Sequence, residues 1–264
     1  MSGNVLRLKR LGIEPGRRLV IFPLDHGVTC GPIAGLVQVE SAIRLGVEGR
    51  VDALVLHKGM LRLLDKIPSR LPGIFMHLSA STQLGPNVHH KVLVGSVEEA
   101  IRRGADGVSI HVNMGDSLEP QMLCDFGEVG AACAQWNIPL LVMIYAKGTE
   151  DPTHARDSAI AHAARVAAEL GADCIKLPTP SDDEILREIT GSLPVPVVVA
   201  GGTRSPDTLS FLGRVEKAIR AGAGGVAIGR NVFQHERPEA VMHAICSIVH
   251  RGVSAEKAWE GSLN

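Results

Sequence analysis

One lysine of the sequence, Lys176, stands inside the apolar run Cys174–Leu177 with no acidic residue directly beside it. Lysine is seldom buried without a partner. Burial and a second nearby cation lower the pKa of a lysine from ~10.4 toward ~7–8, and the neutral amine then attacks carbonyl carbon. Lys176 is therefore a candidate nucleophile that forms an imine with a ketone. The alternative is a strand-end lysine whose ammonium extends to solvent.

Two residues at the end of another apolar run would assist such a nucleophile. Tyr145, the only tyrosine of the chain, is a candidate proton donor and acceptor, and Lys147 is a candidate second cation. In a strand, residues two apart point to the same side. The alternative for Tyr145 is a half-buried ring whose hydroxyl binds a backbone carbonyl. Lys58 and Lys147 are rival nucleophiles, but each directly precedes a glycine, which indicates a loop.

A carboxylate follows the first apolar run of the chain. Asp25 stands between Leu24 and His26, at the end of the run Leu19-Val-Ile-Phe-Pro-Leu24. Here its carboxylate would hold a substrate hydroxyl group and stabilise a protonated imine. The alternative is an Asx-turn or a helix cap at the start of a loop.

The elements that must position these residues repeat along the chain. Three segments share a helix end, a glycine (Gly104, Gly171 and Gly222) and a short apolar strand, which predicts βαβ units. We predict eight strands, at 18–24, 51–56, 74–78, 107–112, 139–145, 173–177, 196–200 and 225–229, and amphipathic helices that include 34–46, 119–135, 154–170, 206–221 and 237–250. Eight buried strands in about 250 residues favour a single closed (β/α)8 TIM barrel. An open sheet is the alternative, but no GxGxxG fingerprint follows the first strand.

The composition limits the class of protein. No linker divides the chain, so we expect one barrel domain over residues 1–264, with residues 1–16 as a peripheral N-terminal arm. Lys and Arg total 27 against 28 for Asp and Glu, which argues against a nucleic-acid-binding surface. No apolar run approaches the ~18 residues of a membrane span, and no signal peptide is apparent. Five scattered cysteines without CxxC spacing indicate reduced thiols, so we expect a cytoplasmic protein.

The last two predicted strands end in glycines. In a TIM barrel the chemistry lies where the strands end and the loops begin. Here those ends read Gly201-Gly202-Thr203 and Gly229-Arg230. Glycines let backbone N–H groups approach an anion, and Arg230 would add a charge-assisted contact. Together the two segments predict a phosphate site, although each one alone is also explained as a simple strand end.

Histidines stand at the ends of the first four predicted strands, namely His26, His57, His77 and His111. A zinc hydrolase of this fold usually carries paired histidines on one strand, but the chain has no HxH, and no carboxylate joins the later strand ends. We therefore expect no metal and no other cofactor. The histidines should fill and polarise the mouth of the barrel, with His26 and His57 among the substrate-binding residues.

These residues lie within segments that resemble a known family. From about residue 18 to about residue 250 the chain is similar to the class I aldolases that include archaeal-type fructose-bisphosphate aldolase, and most similar to their 2-amino-3,7-dideoxy-D-threo-hept-6-ulosonate synthase branch. The most specific segments are PLDHGV at 23–28, LHKG at 56–59, SIHVN at 109–113, VVVAGG at 197–202 and VAIGRN at 226–231, together with Tyr145 and Lys176. Two segments depart from the family pattern: AKG after Tyr145 replaces PRG, and LPTP after Lys176 replaces TxYTG. Both departures lie at the substrate end of the site.

The resemblance implies roles for these residues. It implies that Lys176 forms the Schiff base, that Tyr145 is the general acid and base, and that Asp25 assists at the carbonyl and hydroxyl groups. It also implies that the two glycine loops hold a sugar phosphate, and that the chain assembles as a homo-oligomer, in this family often a decamer.

The resemblance further implies a substrate class. The donor would be a phosphorylated ketose, such as dihydroxyacetone phosphate or a deoxyketose phosphate. The acceptor would be an aldehyde, by resemblance L-aspartate 4-semialdehyde, whose carboxylate Lys147 would suit, on a route to an aromatic amino acid or an aminobenzoate. The alternatives are a fructose-bisphosphate aldolase, a thiolase-like acyl transferase that uses Lys176, a metal-dependent hydrolase built on the histidines, and a non-catalytic binding barrel. The first of these needs a second phosphate site, for which basic residues near Lys147 and Arg156 are candidates.

Overall fold

The strands of the structure, a computed structural model, close into a barrel. The structure describes residues 3–146 and 154–263. The eight parallel barrel strands are β1 Leu19–Pro23, β2 Ala53–His57, β3 Gly73–His77, β4 Gly107–Met114, β5 Leu140–Ala146, β6 Cys174–Leu177, β7 Val197–Ala200 and β8 Gly225–Ala227. Each strand pairs with its neighbours in chain order, and β8 pairs with β1. The predicted TIM barrel is confirmed.

Helices follow the strands around the outside of the barrel. They are α1 Gly3–Arg10, α2 His26–Cys30, α3 Val39–Glu48, α4 Val97–Arg102, α5 Glu119–Trp136, α6 His154–Glu169, α7 Asp183–Ser192, α8 Thr208–Arg220, α9 Arg230–Phe233, α10 Pro238–Arg251 and α11 Ala255–Ser262, with a 3-10 helix at Leu61–Lys66. The apolar faces of α3 to α11 pack against the outer faces of the strands in one large core. Among the helices described here, none is long and apolar enough to cross a membrane.

The helix predicted at 34–46 begins later in the structure, at Val39. Gly35 has φ +80°, and a Cβ atom added there would lie 1.8 Å from the carbonyl oxygen of Phe233. A left-handed residue in such close contact with another part of the backbone cannot belong to a helix. Residues 31–38 therefore connect α2 to α3 without regular structure.

Side chains that alternate along the strands fill the inside of the barrel in layers. The lower layers are apolar and consist of Leu19, Ile21, Ala53, Val55, Phe75, Leu141, Met143, Cys174, Val198 and Ala227, with Leu11. Helix α1 has no buried residue, whereas Leu11 directly after it is completely buried and packs beside the first residues of β3 and β4. The N-terminal segment thus closes the lower end of the barrel. At the next inward-facing positions, two residues further toward the carboxyl ends of the strands, polar side chains enter the barrel.

The connection from β3 to α4 remains at the carboxyl end of the barrel. Residues Ser79–Ala80 and Val92–Leu93 form a short antiparallel ladder directly after β3. The residues between the two halves of this ladder return to the barrel, because Asn113 Nδ2 at the end of β4 donates to the carbonyl oxygen of His89 at 2.6 Å. This connection therefore contributes side chains to the same end of the barrel as the strand termini.

Candidate active site

Lys176 points into the barrel. It follows Cys174 by two positions on β6 and is only 7% exposed. The register pairs Lys176 with Met143 on β5, and its Nζ lies 3.7 Å from the Met143 sulfur. No ion pair involves Lys176 among the residues that the structure describes. Its amine therefore lies within the upper layer of the barrel and does not extend to bulk solvent.

Tyr145 lies on the neighbouring strand and lines the same cavity as Lys176. It follows Met143 by two positions on β5 and so faces inward. Its ring stacks on the imidazole of His111, with centroids 4.9 Å apart and planes inclined by 26°. Within residues 3–146 and 154–263, its hydroxyl has no hydrogen-bond partner. The hydroxyl is therefore available to a ligand in the cavity, and no described backbone carbonyl accepts from it.

Asp25 lies at the end of β1, just before α2, but its side chain does not cap that helix. Its Oδ2 is 3.8 Å from His77 Nε2, and its Oδ1 is 3.8 Å from His26 Nδ1. Both distances are too long for hydrogen bonds. Asp25 Oδ1 and His26 Nδ1 are buried, and neither has a hydrogen-bond partner in the described parts of the chain. These two atoms can bind the polar groups of a substrate or a water molecule.

The Asp25 carboxyl group remains ionised. Burial alone would raise its pKa, but electrostatic interactions with His77, His26 and Lys176 outweigh this and hold the pKa well below its ordinary value. The site thus contains a carboxylate near the amine of Lys176. Such a charge stabilises a positive charge that develops at the amine nitrogen.

His77, which was not among the predicted substrate-binding residues, holds a central place. It ends β3, is 4% exposed, and its Nδ1 is 2.8 Å from Ser109 Oγ on β4. Burial lowers the pKa of His77 to about 3, so the imidazole is neutral at neutral pH. When the Ser109 hydroxyl donates to Nδ1, the Nε2 proton faces Asp25. The predicted residue His57 packs edge-on against His77, with ring centroids 5.2 Å apart.

The other strand-end histidines are neutral for the same reason. Burial lowers the pKa of His111 to about 3, and it also lowers the pKa values of His26 and His57. His111 Nε2 lies 3.1 Å from Asn113 Oδ1. Among the described residues, no group of three or more His, Cys, Asp or Glu side chains is placed to hold a metal ion.

A cavity of about 340 Å³ connects Lys176 to the glycine ends of the last two strands. Every residue predicted for phosphate binding lines it: Gly201, Gly202, Thr203, Gly229 and Arg230. The predicted residue His26 lines it as well. The structure therefore brings the amine, the tyrosine and the predicted anion-binding segments to one space.

The two glycine segments have different physical requirements. Gly202 has φ +71°, a left-handed conformation that favours glycine. Gly229 has no room for a side chain, since an added Cβ would lie 2.9 Å from both the Pro23 carbonyl oxygen and His26 Cε1. Asn231 fixes the first segment by donating to the carbonyl oxygens of Gly201 and Thr203, at 2.8 and 3.0 Å.

Three arginines line the cavity: Arg214, which was not predicted, Arg156, which is a candidate for a second phosphate in the fructose-bisphosphate alternative, and Arg230, which was predicted to bind substrate. Its Nε is buried without a hydrogen-bond partner in the described residues. Arg156 on α6 and Arg214 on α8 also line the cavity, and the Arg214 guanidinium lies 5.7 Å from the centre of the Phe211 ring. Arg214 comes from a helix that follows a strand, where the sequence offers no signal that distinguishes it from surface arginines.

The rival lysines have different positions. Lys58, directly after β2, forms an ion pair with Glu99 in which Nζ and Oε2 are 3.1 Å apart. An ammonium held by a carboxylate is a poor nucleophile. Lys147 lies outside the described residues.

A buried amine beside a tyrosine and an ionised carboxylate, at the carboxyl end of a closed parallel barrel, is typical of enzymes that form an imine with a ketone. Comparison with known proteins identifies the group. Residues 19–235 match the family model described as DeoC/LacD family aldolase. The chain is 44% identical over 248 residues to a 2-amino-4,5-dihydroxy-6-oxo-7-(phosphonooxy)heptanoate synthase from Streptomyces griseus, which covers 93% of this chain and 89% of the relative.

Further relatives agree. A 2-amino-3,7-dideoxy-D-threo-hept-6-ulosonate synthase from Archaeoglobus fulgidus is 40% identical, with 98% of this chain and 96% of the relative covered. Among solved structures, an archaeal fructose 1,6-bisphosphate aldolase aligns with TM-score 0.84 and 27% identity, covering 95% of this chain and all of that chain. Another archaeal structure holds the carbinolamine intermediate of its substrate on the catalytic lysine, with TM-score 0.82, 26% identity, and 94% and 100% of the two chains covered.

The chain belongs to the DeoC/LacD aldolase family. It is an enzyme, a class I aldolase, as its resemblance to that class predicted. The alternative of a non-catalytic binding barrel is therefore wrong.

Proposed function

We propose that this aldolase uses Lys176 to capture a phosphorylated ketose as an imine and joins it to an aldehyde that carries an amino acid group. The observation that carries the proposal is the shared cavity. The buried amine and the glycine segments with the free Nε of Arg230 line this one cavity. A three-carbon ketose phosphate needs these two features a short distance apart.

The donor half of the reaction uses three side chains. The Lys176 amine adds to the donor ketone, and the loss of water gives a protonated imine whose positive charge the Asp25 carboxylate stabilises. Tyr145 gives its hydroxyl proton to the hydroxide that leaves as water, and the resulting phenolate removes a proton from the adjacent donor carbon, which leaves an enamine. The free atoms Asp25 Oδ1 and His26 Nδ1 bind donor hydroxyl groups, and His57 borders this region.

The acceptor half forms the carbon–carbon bond. The enamine carbon attacks the aldehyde carbon, and the new alkoxide takes the proton that Tyr145 removed. Water then adds to the iminium carbon, and the bond to the Lys176 nitrogen breaks to release the product and restore the amine. The proton count balances, because the addition only moves one hydrogen from donor carbon to acceptor oxygen.

Each of the two relatives is named after a compound that an aldol reaction can form, and dividing that compound at the new carbon–carbon bond gives a donor and an acceptor. The Streptomyces griseus name describes a seven-carbon acid with an amino group at C2, hydroxyls at C4 and C5, a ketone at C6 and a phosphate at C7. Cleavage between C4 and C5 gives dihydroxyacetone phosphate and aspartate 4-semialdehyde. The compound in the name of the Archaeoglobus fulgidus relative has no oxygen at C7, which corresponds to a deoxyketose donor. We propose the same acceptor for this chain and a donor of one of these two kinds.

A second candidate is cleavage of fructose bisphosphate. Arg156 and Arg214 line the same cavity and would supply cations for a second phosphate. A panel of acceptors separates the two reactions. The proposal expects turnover with aspartate 4-semialdehyde and little with glyceraldehyde 3-phosphate, and the reverse preference would replace it with the bisphosphate reaction.

Reductive trapping tests the nucleophile. Incubation with dihydroxyacetone phosphate and borohydride should attach the reduced ketose to the peptide that contains Lys176. Lys176→Ala should abolish the adduct, whereas Lys58→Ala, at the lysine paired with Glu99, should retain it. An adduct on Lys58, or activity that EDTA removes, would contradict the proposal.

We also propose that the chain is a cytoplasmic homo-oligomer, as its resemblance to the family implies. Several large apolar side chains are exposed, among them Leu84 at 97% and Val37 at 63%. Light scattering on the purified protein measures the assembly, and a monomer at micromolar concentration would contradict the oligomer.

A further inference from the structure

Lys91 is a second buried lysine at the carboxyl end of the barrel, and the mechanism above does not use it. It lies on the connection from β3 to α4 and is 8% exposed. Within the described residues, its ammonium makes one hydrogen bond, to Ser81 Oγ at 2.5 Å, and no ion pair. An ammonium has three donors. Two donors of a buried cation are therefore left for a ligand.

The connection that carries Lys91 is fixed at both ends. Val92 pairs with Ala80 and Leu93 with Ser79, and Ser79 Oγ accepts from the backbone N–H of His111 at 2.9 Å. Ser81 Oγ, which accepts from Lys91, itself donates to the Val88 carbonyl oxygen. The Lys91 side chain is thus held in place before any ligand binds, which reduces the entropy cost of binding.

Lys91 faces the side of the barrel mouth opposite the phosphate segments. Its charge lowers the pKa values of His57, His77 and His111, and Asp25 in turn attracts it. These neighbours belong to the ends of β1–β4, whereas the cavity between Lys176 and the glycine segments is formed mainly by the ends of β5–β8. The three histidines are neutral, so the acidic groups that these interactions assign to Lys91 are the Asp25 carboxylate and the Cys30 thiol.

These positions determine how the acceptor aldehyde lies in the site. With the donor phosphate at the glycine segments and the donor ketone at Lys176, the aldehyde must approach the enamine from the remaining side. The far end of the aldehyde then extends toward the ends of β1–β4. An unpaired ammonium in a dry site attracts an anionic ligand group.

We propose that Lys91 binds the carboxylate of the acceptor aldehyde and thereby selects amino-acid aldehydes over uncharged ones. This inference rests on the proposed function, since it assigns the acceptor end of the same reaction. It makes Lys91 a specificity-determining residue that contacts the acceptor and leaves capture of the donor to Lys176.

Two substitutions and two aldehydes test this role. Lys91→Met removes the charge and keeps most of the volume, Lys91→Arg keeps the charge, and Lys58→Met is the matched control at a neighbouring lysine already paired with Glu99. The acceptors are aspartate 4-semialdehyde and butanal, which has four carbons and no charge. Exchange of the donor proton with deuterated water, followed by NMR without an acceptor, reports the donor half alone.

For Lys91→Met we expect the KM for aspartate 4-semialdehyde to rise at least tenfold, with kcat/KM for butanal and the rate of donor exchange within about twofold of the parent protein. Lys91→Arg should recover most of the affinity, and Lys58→Met should behave as the parent protein does.

Equal losses with both aldehydes, or slower donor exchange, would show that Lys91 acts through Asp25 and would overturn the proposal. If glyceraldehyde 3-phosphate is the preferred acceptor and Lys91→Met raises its KM, the site binds phosphate and the carboxylate assignment is wrong. If the unsubstituted protein does not exchange the donor proton, the proposed function itself is wrong, and this result is distinct from a failure of the Lys91 assignment.

Discussion

Asp25 Oδ2 and His77 Nε2 face each other at 3.8 Å inside the mouth of the barrel. The distance is too long for a hydrogen bond, and the other oxygen of Asp25 has no partner in the described residues. His77 in turn is fixed by Ser109. An ionised carboxylate is thus held near the amine of Lys176 without a direct partner of its own. A charged group left unsatisfied in this way costs stability and persists where a ligand or reaction uses it.

Asp25→Asn should slow imine formation by about 10²-fold, the usual effect of removing one electrostatic contact to a developing charge. The asparagine keeps the shape of the side chain but cannot stabilise the cationic carbinolamine and imine. The measurement is the rate of borohydride-dependent labelling at saturating dihydroxyacetone phosphate. Asp65→Asn, at an exposed residue of the 3-10 helix, is the control and should label at the parent rate. Unchanged labelling of Asp25→Asn would remove Asp25 from the mechanism.

Tyr145→Phe should separate imine formation from proton transfer. The phenylalanine ring can keep the stack on His111, so we expect the fold to be preserved and borohydride trapping on Lys176 to continue. Loss of the general acid and base should reduce exchange of the donor proton by about 10²- to 10⁴-fold. NMR in deuterated water measures the exchange, and mass spectrometry measures the trapping. Exchange at the parent rate would mean that another group moves the proton.

Arg230→Gln should weaken binding of phosphorylated donors selectively. A charge-assisted hydrogen bond contributes about 1.5–3 kcal/mol, so the KM for dihydroxyacetone phosphate should rise roughly 10- to 100-fold. The kcat/KM for unphosphorylated dihydroxyacetone should change by less than about twofold, because that donor makes no such contact. The control is Arg187→Gln, at an exposed arginine that pairs with Glu184. Equal losses with both donors would contradict a phosphate contact at Arg230.

Much of the site followed from the sequence because strand ends in a parallel barrel meet at one edge. Lys176 and Tyr145 were predictable from single apolar runs, and the glycine pairs marked the last two strands. The alternation of residues also predicts that they face inward. The sequence could not decide whether Asp25 has a chemical role or caps a helix. The structure decides it, because the Asp25 side chain makes no cap hydrogen bond to α2.

Residues that reach the site from outside the strand ends could not be predicted in this way. Lys91 arrives on a connection whose short ladder has no strong sequence pattern, and its burial depends on contacts with Ser81. Arg214 comes from α8 and reaches the cavity across the ring of Phe211. Nothing in the sequence around either residue marks it as part of a site, and only the closed barrel brings both to its carboxyl end.

The buried histidines should make the stability of the fold depend on pH. Burial lowers the pKa of His111 from 6.5 to about 3, so in the range between these values the unfolded chain binds a proton that the folded protein does not. The free energy of unfolding must therefore fall as the pH decreases from about 6.5 toward about 3, by up to about 1.4 kcal/mol per pH unit for one such group. His111→Gln keeps a polar group near Asn113 and removes this titration. Urea denaturation between pH 4 and 6 should then show a slope lower than that of the parent protein by about this amount. The comparison uses slopes, since the loss of the stack on Tyr145 also shifts the stability at every pH, and identical slopes would mean that His111 is protonated in the folded state.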